Sequence, residues 1–328
     1  MQCGLKPYYL RHGMNKIAKF LCVLIFYAYL CTEREEKTMS KFINPFTDVG
    51  FKRIFGQEIS KPVLLKFLNT LLEGELHIVD LQYLDKEQPG DSADDRSLIY
   101  DVYCELDDGE HIIVEMRNKS QPYFKNRSVY YVSRAISRQG EPGPEWRYDV
   151  KAVYLIALLN FKRDDISMEF RTDVALMDIK HKMLFSDKVR LIYLQLPYFT
   201  KEVDDCESIF EKLIYVLKHM DVLQRMPWLA QDAVFQKLAS IADVASLNKQ
   251  ERMAYDENLR KYRDTIAVME GQYLEGVKKG MEKGRTEGRA EGRTEEKIGI
   301  ARMLKADGMA IDIISKYTGL TSEEIATL

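Results

Sequence analysis

Ser97-Leu98-Ile99-Tyr100-Asp101-Val102-Tyr103-Cys104-Glu105-Leu106, then Asp107-Asp108-Gly109-Glu110, then His111-Ile112-Ile113-Val114-Glu115-Met116-Arg117-Asn118-Lys119 is the stretch on which the fold turns. Both arms alternate polar and apolar with period two around an Asp-Gly pair, the pattern of an antiparallel hairpin. The alternation predicts a core face of Tyr100, Val102, Cys104, Leu106, Ile112, Val114 and Met116. The opposite face carries Asp101, Tyr103, Glu105, His111, Ile113, Glu115, Arg117 and Lys119, and reads as polar. With Asp108 at the apex, Asp101 and Glu115 oppose each other. Directly opposed strand residues have Cβ atoms roughly 5 Å apart, where like charges repel. A divalent cation between the carboxylates would relieve the repulsion. The plainer reading is a solvated face whose acids are offset by Arg117 and Lys119, as on many half-exposed hairpins.

Charge around the hairpin is sharply divided. From Asp91 to Glu115 there are nine acids against one base, Arg96. From Met116 to Gly140 there are six bases (Arg117, Lys119, Lys125, Arg127, Arg134, Arg138) and no acid. The net charge of −3 over 328 residues gives no global attraction to nucleic acid, so any such binding rests on this local charge. Such blocks also occur as ordinary solvated faces.

Outward from the hairpin, Asp48 to Phe55 and Lys61 to Leu72 read as helices, the second ending near Gly74. His77 to Tyr83 reads as a strand, and Asp85 to Asp95 as a polar loop containing Pro89-Gly90. After the hairpin, Ser120 as cap and Pro122 in the first turn predict a helix from about Tyr123 to Arg138. Its apolar stripe is Val129, Val132 and Ile136, and a second stripe is Arg127, Tyr131, Arg134 and Arg138. Val150 to Leu159 is a nearly continuous apolar run, the mark of a buried strand, and a further strand is expected at Val189 to Leu196. Residues 203–268 read as helical and carry no catalytic pattern.

Asp101, thirteen residues, then Glu115-Met116-Arg117 resembles the PD-(D/E)XK nuclease signature. More closely, the chain is similar to the bacterial recombination-promoting nuclease group, the PD-(D/E)XK nuclease family transposases. Phe46-Thr47-Asp48-Val49-Gly50-Phe51-Lys52-Arg53-Ile54-Phe55-Gly56 is similar to that group's amino-terminal D-x-x-F-K block. Gln121-Pro122-Tyr123-Phe124-Lys125-Asn126-Arg127-Ser128-Val129-Tyr130-Tyr131 matches the segment after its acidic strand. The resemblance runs from about residue 40 to the C-terminus, charged tail included. It implies an α/β fold with a restriction-endonuclease-like αβββαβ core, a mixed sheet flanked by helices, and a C-terminal helical region.

The resemblance further implies a metal-dependent DNA endonuclease. Asp101, Glu115 and the Met116 carbonyl would bind Mg²⁺ (or Mn²⁺ or Ca²⁺), with Arg117 and Lys119 completing the catalytic set. Lys125, Arg127, Arg134 and Arg138 would contact DNA. The position two after Glu115 is Lys in the general signature and often Gln in this group; here it is Arg117, which stays protonated and is no general base. Lys119 could substitute for the missing lysine. Asp48 either adds a carboxylate or caps its helix, and capping is favoured. A nuclease-fold protein that has lost efficient cleavage and acts by DNA or protein binding is the alternative.

The expected organisation is a leader at 1–38, a nuclease-like domain at 39–200, a helical extension at 201–268, a glycine-punctuated charged helix at 269–296 and a helical tail at 297–328. Residues 20–31 form a short apolar run behind Lys16 and Lys19. It is shorter than the ~20 residues of a membrane-spanning helix. Three readings stand for it: a translation start mis-assigned upstream of Met39, a signal or anchor, or a buried helix. The purine-rich codons expected for Glu33 to Lys37 favour the first. Gly276, Gly280, Gly284, Gly288 and Gly292 recur every four residues, suiting a semi-flexible helical linker or close helix pairing in a homo-oligomer. Lys297 to Leu328 suggests three short helices, the last opened by Thr321-Ser322-Glu323-Glu324 in capping-box spacing. Five cysteines, only Cys104 and Cys206 of them in the body, make neither a disulfide framework nor a zinc pattern. A reducing, cytoplasmic setting without stable membrane association is expected.

Overall fold

Thr47 sets the start of the first helix. In a computed structural model that describes residues 40–88 and 97–328, its side chain accepts a hydrogen bond from the Gly50 N–H at 3.0 Å. Helix α1 then runs Asp48–Phe55. The cap is therefore Thr47 and not Asp48, whose carboxylate instead pairs with Lys52 one turn on, at 2.6 Å. Gly50 is required here, because a Cβ would lie 2.1 Å from the Asn44 carbonyl oxygen. Helix α2, Lys61–Leu71, buries Val63, Leu64, Phe67, Leu68 and Leu71 at helical spacing.

The strands are β1 Leu81–Tyr83, β2 Glu87–Gln88, β3 Leu98–Ile99, β4 Val102–Leu106, β5 His111–Arg117, β6 Val153–Leu159, β7 Arg171–Met177 and β8 Leu184–Gln195. β2 and β3 pair separately, and the other six form one mixed sheet in the order β1-β4-β5-β6-β8-β7. β1, β4 and β5 pair antiparallel; β5, β6 and β8 run parallel; β7 closes the far edge antiparallel. Helix α3, Phe124–Ser137, provides the crossover between parallel β5 and β6. This is the expected mixed α/β core.

β1 is shorter than the expected strand at 77–83. The Asn69 side chain takes both backbone groups of Ile78, accepting from its N–H at 2.9 Å and donating to its carbonyl at 2.8 Å. That segment needs no strand neighbour. β7 has no counterpart among the expected strands; it is an edge strand whose residues are nowhere fully buried.

The hairpin turn sits where expected, with Gly109 at φ +87°, but its second face is not a solvent face. Tyr103, Ile113 and Glu115 are all buried, because α3 covers that side of the sheet. Tyr100 also lies on the α3 side, its ring centroid 5.0 Å from Tyr103 and 5.2 Å from Tyr131. A bend at Asp101 breaks the alternation and swings Tyr100 away from Val102. Helix α3 starts after a turn, without a side-chain cap. Ser120 does not cap it, since its hydroxyl accepts from Arg163 at 3.0 Å. The buried stripe of α3 is Phe124, Ser128, Tyr131, Val132 and Ala135, while Val129 faces out.

Helices α4 (Ile209–His219) and α5 (Ala233–Ala242) complete this first unit together with the start of α6 (Lys249–Ala306). They are tied to the front of the chain: Ile43 donates to the Ala242 carbonyl at 2.8 Å, Asn44 to the Tyr255 hydroxyl at 2.8 Å, and Arg53 pairs with Glu251 at 2.8 Å.

A second unit, Arg260–Leu328, contains the remainder of α6 followed by α7 (Ile311–Thr318) and α8 (Ser322–Thr327). The tail thus has two short helices after α6 and not three separate ones. Ala301, Ile314, Leu320 and Ile325 form its small core, and Thr321 and Glu324 make the expected capping box. Among the described residues no helix is long and apolar enough to cross a membrane. The readings of residues 1–38 and of Pro89-Gly90 lie outside the described residues.

Candidate metal and phosphate site at the end of strand β5

The register of the hairpin pairs Val102 with Val114, so the next step outward sets Asp101 against Glu115. Asp101 occupies the bend just before β4. Its backbone N–H donates to Glu115 Oε1 at 3.3 Å, and its Oδ2 accepts from the Met116 N–H at 2.9 Å. The two acids therefore hold each other's strands in place. Glu115 is only 3% exposed. Burial, and next the Asp101 charge, push its carboxyl up to about 7 against the opposing pull of Arg117.

Arg117 lies in the middle of this arrangement. Its guanidinium pairs with Glu115 Oε2 through Nη2, stands 3.7 Å from Asp101 Oδ2 through Nη1, and donates from Nη1 to the Met116 carbonyl at 3.4 Å. Burial works against its charge, but Glu115 and Asp101 outweigh that and hold its pKa above the ordinary arginine value. Arg117 thus touches all three groups that the sequence reading assigns to a cation. Among the described residues there is no cluster of three or more His, Cys, Asp or Glu side chains suited to a metal. Any metal here rests on two carboxylates and a backbone carbonyl.

Lys119 is not on the face of Arg117. Strand β5 ends at Arg117, and Lys119 follows in an exposed bend. Arg127 of α3 does reach the site, lining a narrow pocket with Glu115, Arg117 and Tyr131. Its Nε donates to the Tyr131 hydroxyl at 2.8 Å, with the guanidinium carbon 4.9 Å from that ring's centroid. Arg134 lies half-buried further along α3, and exposed Arg138 donates to the Gln88 side chain. Lys125 is drawn into an ion pair with Asp165 at 3.2 Å. Asp48 is engaged by Lys52, as described above.

Two structural residues of the site escaped the sequence reading. Asn118 donates to the Phe46 carbonyl at 2.6 Å, tying the end of β5 to the loop that precedes α1. Arg163, nearly buried, forms a two-pronged pair with Asp165, donates to Ser120 and the Gln121 carbonyl, and lies 5.2 Å over the Phe124 ring. It fixes the loop leading into α3. A polar residue directly after an apolar strand was the available sign for Asn118; Arg163 gave none.

A family model described as PD-(D/E)XK nuclease family transposase matches residues 45–272. The chain belongs to this family. The match takes in α1, the whole sheet, Asp101, Glu115 and α3, and the six-stranded mixed sheet with flanking helices fits the restriction-endonuclease-like fold. It ends at residue 272, short of the C-terminus to which the sequence resemblance extended. No curated protein and no solved structure matches the chain. A nuclease-family domain is thereby established.

Proposed function

We propose that this member of the nuclease family is a metal-dependent DNA endonuclease whose centre is Asp101 and Glu115. The observation that carries the reading is the convergence of Asp101, Glu115 and the Met116 carbonyl at the end of β5, next to Arg127 of α3. Three oxygen donors, two of them carboxylate, suit Mg²⁺, Mn²⁺ or Ca²⁺ and suit softer metals poorly. When bound, such a cation supplies charge neutralisation at the attacked phosphate and a more acidic water.

The chain's own residues do the rest. Asp101 and Glu115 present their oxygens from two strands locked together by backbone hydrogen bonds, which preorganises the centre. Arg127 and Arg117 hold the phosphate as protonated, fork-shaped donors. Lys119, from its exposed bend, adds positive charge at the rim and stands ready to meet a phosphate. Arg134 and Arg138 extend contact along the backbone, with Lys125 at the start of the helix, giving salt-dependent binding with little sequence information. Involvement in recombination or mobile-element movement, a cytoplasmic setting and homo-oligomerisation through the C-terminal helices belong to the same proposal.

The second reading is a nuclease-fold protein with weakened cleavage that acts by binding. It draws on Arg117, which already neutralises the carboxylate pair. Incubation of supercoiled plasmid with Mg²⁺ or Mn²⁺ separates the two. Nicking that disappears in Asp101→Ala and Glu115→Ala supports the endonuclease. Nicking that survives both substitutions overturns the site. Salt-sensitive DNA binding without nicking by the wild-type protein establishes the second reading.

A further inference from the structure

Arg117 and a metal ion cannot use the same three oxygens at once. The guanidinium is within contact of Glu115 Oε2, Asp101 Oδ2 and the Met116 carbonyl. A hard divalent cation on these oxygens sits at about 2.0–2.6 Å from each. A protonated guanidinium in the same space would face it as a like charge in a poorly solvated pocket, where the repulsion is strong. Arg117 must therefore leave for a metal to enter.

Leaving has a cost unless another anion receives the side chain, because Arg117 is largely buried, its side chain only 19% exposed. The neighbouring wall of the pocket holds Arg127, a second guanidinium and not an acid. The incoming anion has to be brought by the ligand. A DNA phosphate meets that need, since two arginine forks side by side form a strong receptor for it.

We propose that Arg117 couples metal binding to DNA binding: it serves as the internal cation of Asp101 and Glu115 until a backbone phosphate takes it over and a divalent cation replaces it. This rests on the nuclease reading of the site. The consequence is reciprocal, since a phosphate that draws Arg117 away raises metal affinity and the metal raises DNA affinity by the same factor. The chain would hold metal weakly when free and firmly on DNA, which limits stray hydrolysis.

The test is the affinity for Mn²⁺, read from the free-ion paramagnetic resonance signal. Wild type, Arg117→Gln and Arg117→Lys are titrated with and without a short DNA duplex, and binding by the duplex alone is subtracted. In the wild type the duplex should raise Mn²⁺ affinity about 5- to 150-fold, the usual span of such coupling. Arg117→Gln should bind Mn²⁺ tightly without DNA and gain little from it. Arg117→Lys keeps a cation but not a fork that spans three oxygens, and should fall between. Should Arg117→Gln fold only when metal is present, the lysine variant carries the comparison alone. Equal Mn²⁺ affinity in wild type and both variants, or an equal duplex effect in all three, overturns the coupling. Failure of the site reading looks different: Mn²⁺ binding would then be indifferent to Asp101→Asn and Glu115→Gln in every background.

Discussion

Asp101 Oδ2 accepts a hydrogen bond from the Met116 N–H at 2.9 Å, so one carboxylate of the candidate centre is anchored to the strand that carries the other. The Asp101 N–H returns the contact to Glu115. The pair is thereby built into the hairpin backbone and does not depend on side-chain rotamers alone. Four consequences of the architecture lead to measurements, followed by the one that bears on the centre itself.

The first concerns pH. The folded-state pKa of Glu115 is raised to about 7 from an ordinary carboxylate value, chiefly by burial. Between these two values the native state binds more protons than the unfolded chain, so stability falls as pH rises through the interval. In the metal-free protein this contribution should be full below pH about 4.5 and lost above pH about 7. Each pKa unit corresponds to about 1.4 kcal/mol, so the interval puts the loss on the order of 3 kcal/mol. Urea unfolding across this range should show the decline in the wild type and a flatter profile in Glu115→Gln. Added Mn²⁺ should reduce the decline, because it binds the ionised form. A wild-type profile as flat as the variant's would contradict the assignment.

Arg163 is expected to be the most sensitive residue outside the centre. Its removal takes one of two donors from the Gln121 carbonyl, which keeps the Phe124 N–H, leaves exposed Ser120 to water and Asp165 to Lys125, and empties the space over Phe124. Arg163→Ala should lower stability by about 1–2 kcal/mol, because the buried guanidinium loses its packing and hydrogen bonds while the partners left behind, Asp165 and Ser120, are exposed to water. Chemical denaturation measures it; a loss below about 0.5 kcal/mol would show that the loop into α3 is held by other contacts.

The glycines of α6 give an opposite sign. Nothing lies within 4 Å of a Cβ added at Gly276, Gly280, Gly284, Gly288 or Gly292. Each Gly→Ala change there should stabilise the helix by about 1 kcal/mol, read as increased helicity on heating. If the glycines instead form a ridge for close pairing between copies, the same changes should lower the association state in sedimentation, with no gain in helicity.

Legibility of the fold followed burial. α1 and α2 announced themselves because apolar residues recur at the helical period and are buried, and β5, β6 and β8 because each carries a largely apolar run that the sheet buries. β7 did not, since an edge strand with half-exposed residues lacks such a pattern. The opposition of Asp101 and Glu115 was legible from the turn chemistry, as turn length sets register. Their burial was not, because α3 covers that face through a contact distant in sequence. The same cover explains the error on Tyr100, where the bend at Asp101 interrupts the alternation. Arg117 was visible as a departure from the signature, but its three contacts depend on the strand end and the bend together. Asn118 acts through partners roughly 40 to 70 positions away, and Arg163, besides its pair with nearby Asp165, through Ser120 and Gln121 about 40 positions away, separations that no local pattern encodes.

The basic residues of α3 should reveal themselves in the salt dependence of DNA binding. Replacing one phosphate-contacting cation lowers the slope of log affinity against log salt by about 0.9. Arg138→Gln, altering an exposed side chain, should show this change with little effect on sequence preference. An unchanged slope would remove Arg138 from the DNA path.

The most direct measurement is the initial nicking rate of supercoiled plasmid at saturating Mg²⁺, comparing wild type with the near-isosteric variants Asp101→Asn and Glu115→Gln. Each variant loses one charge while keeping the shape of the centre, so binding to DNA should persist. The expected result is a rate reduced at least about 100-fold in each, the scale of losing one preorganised electrostatic contact at a reacting centre. Wild-type rates in both variants would contradict the assignment of Asp101 and Glu115 as the hydrolytic centre.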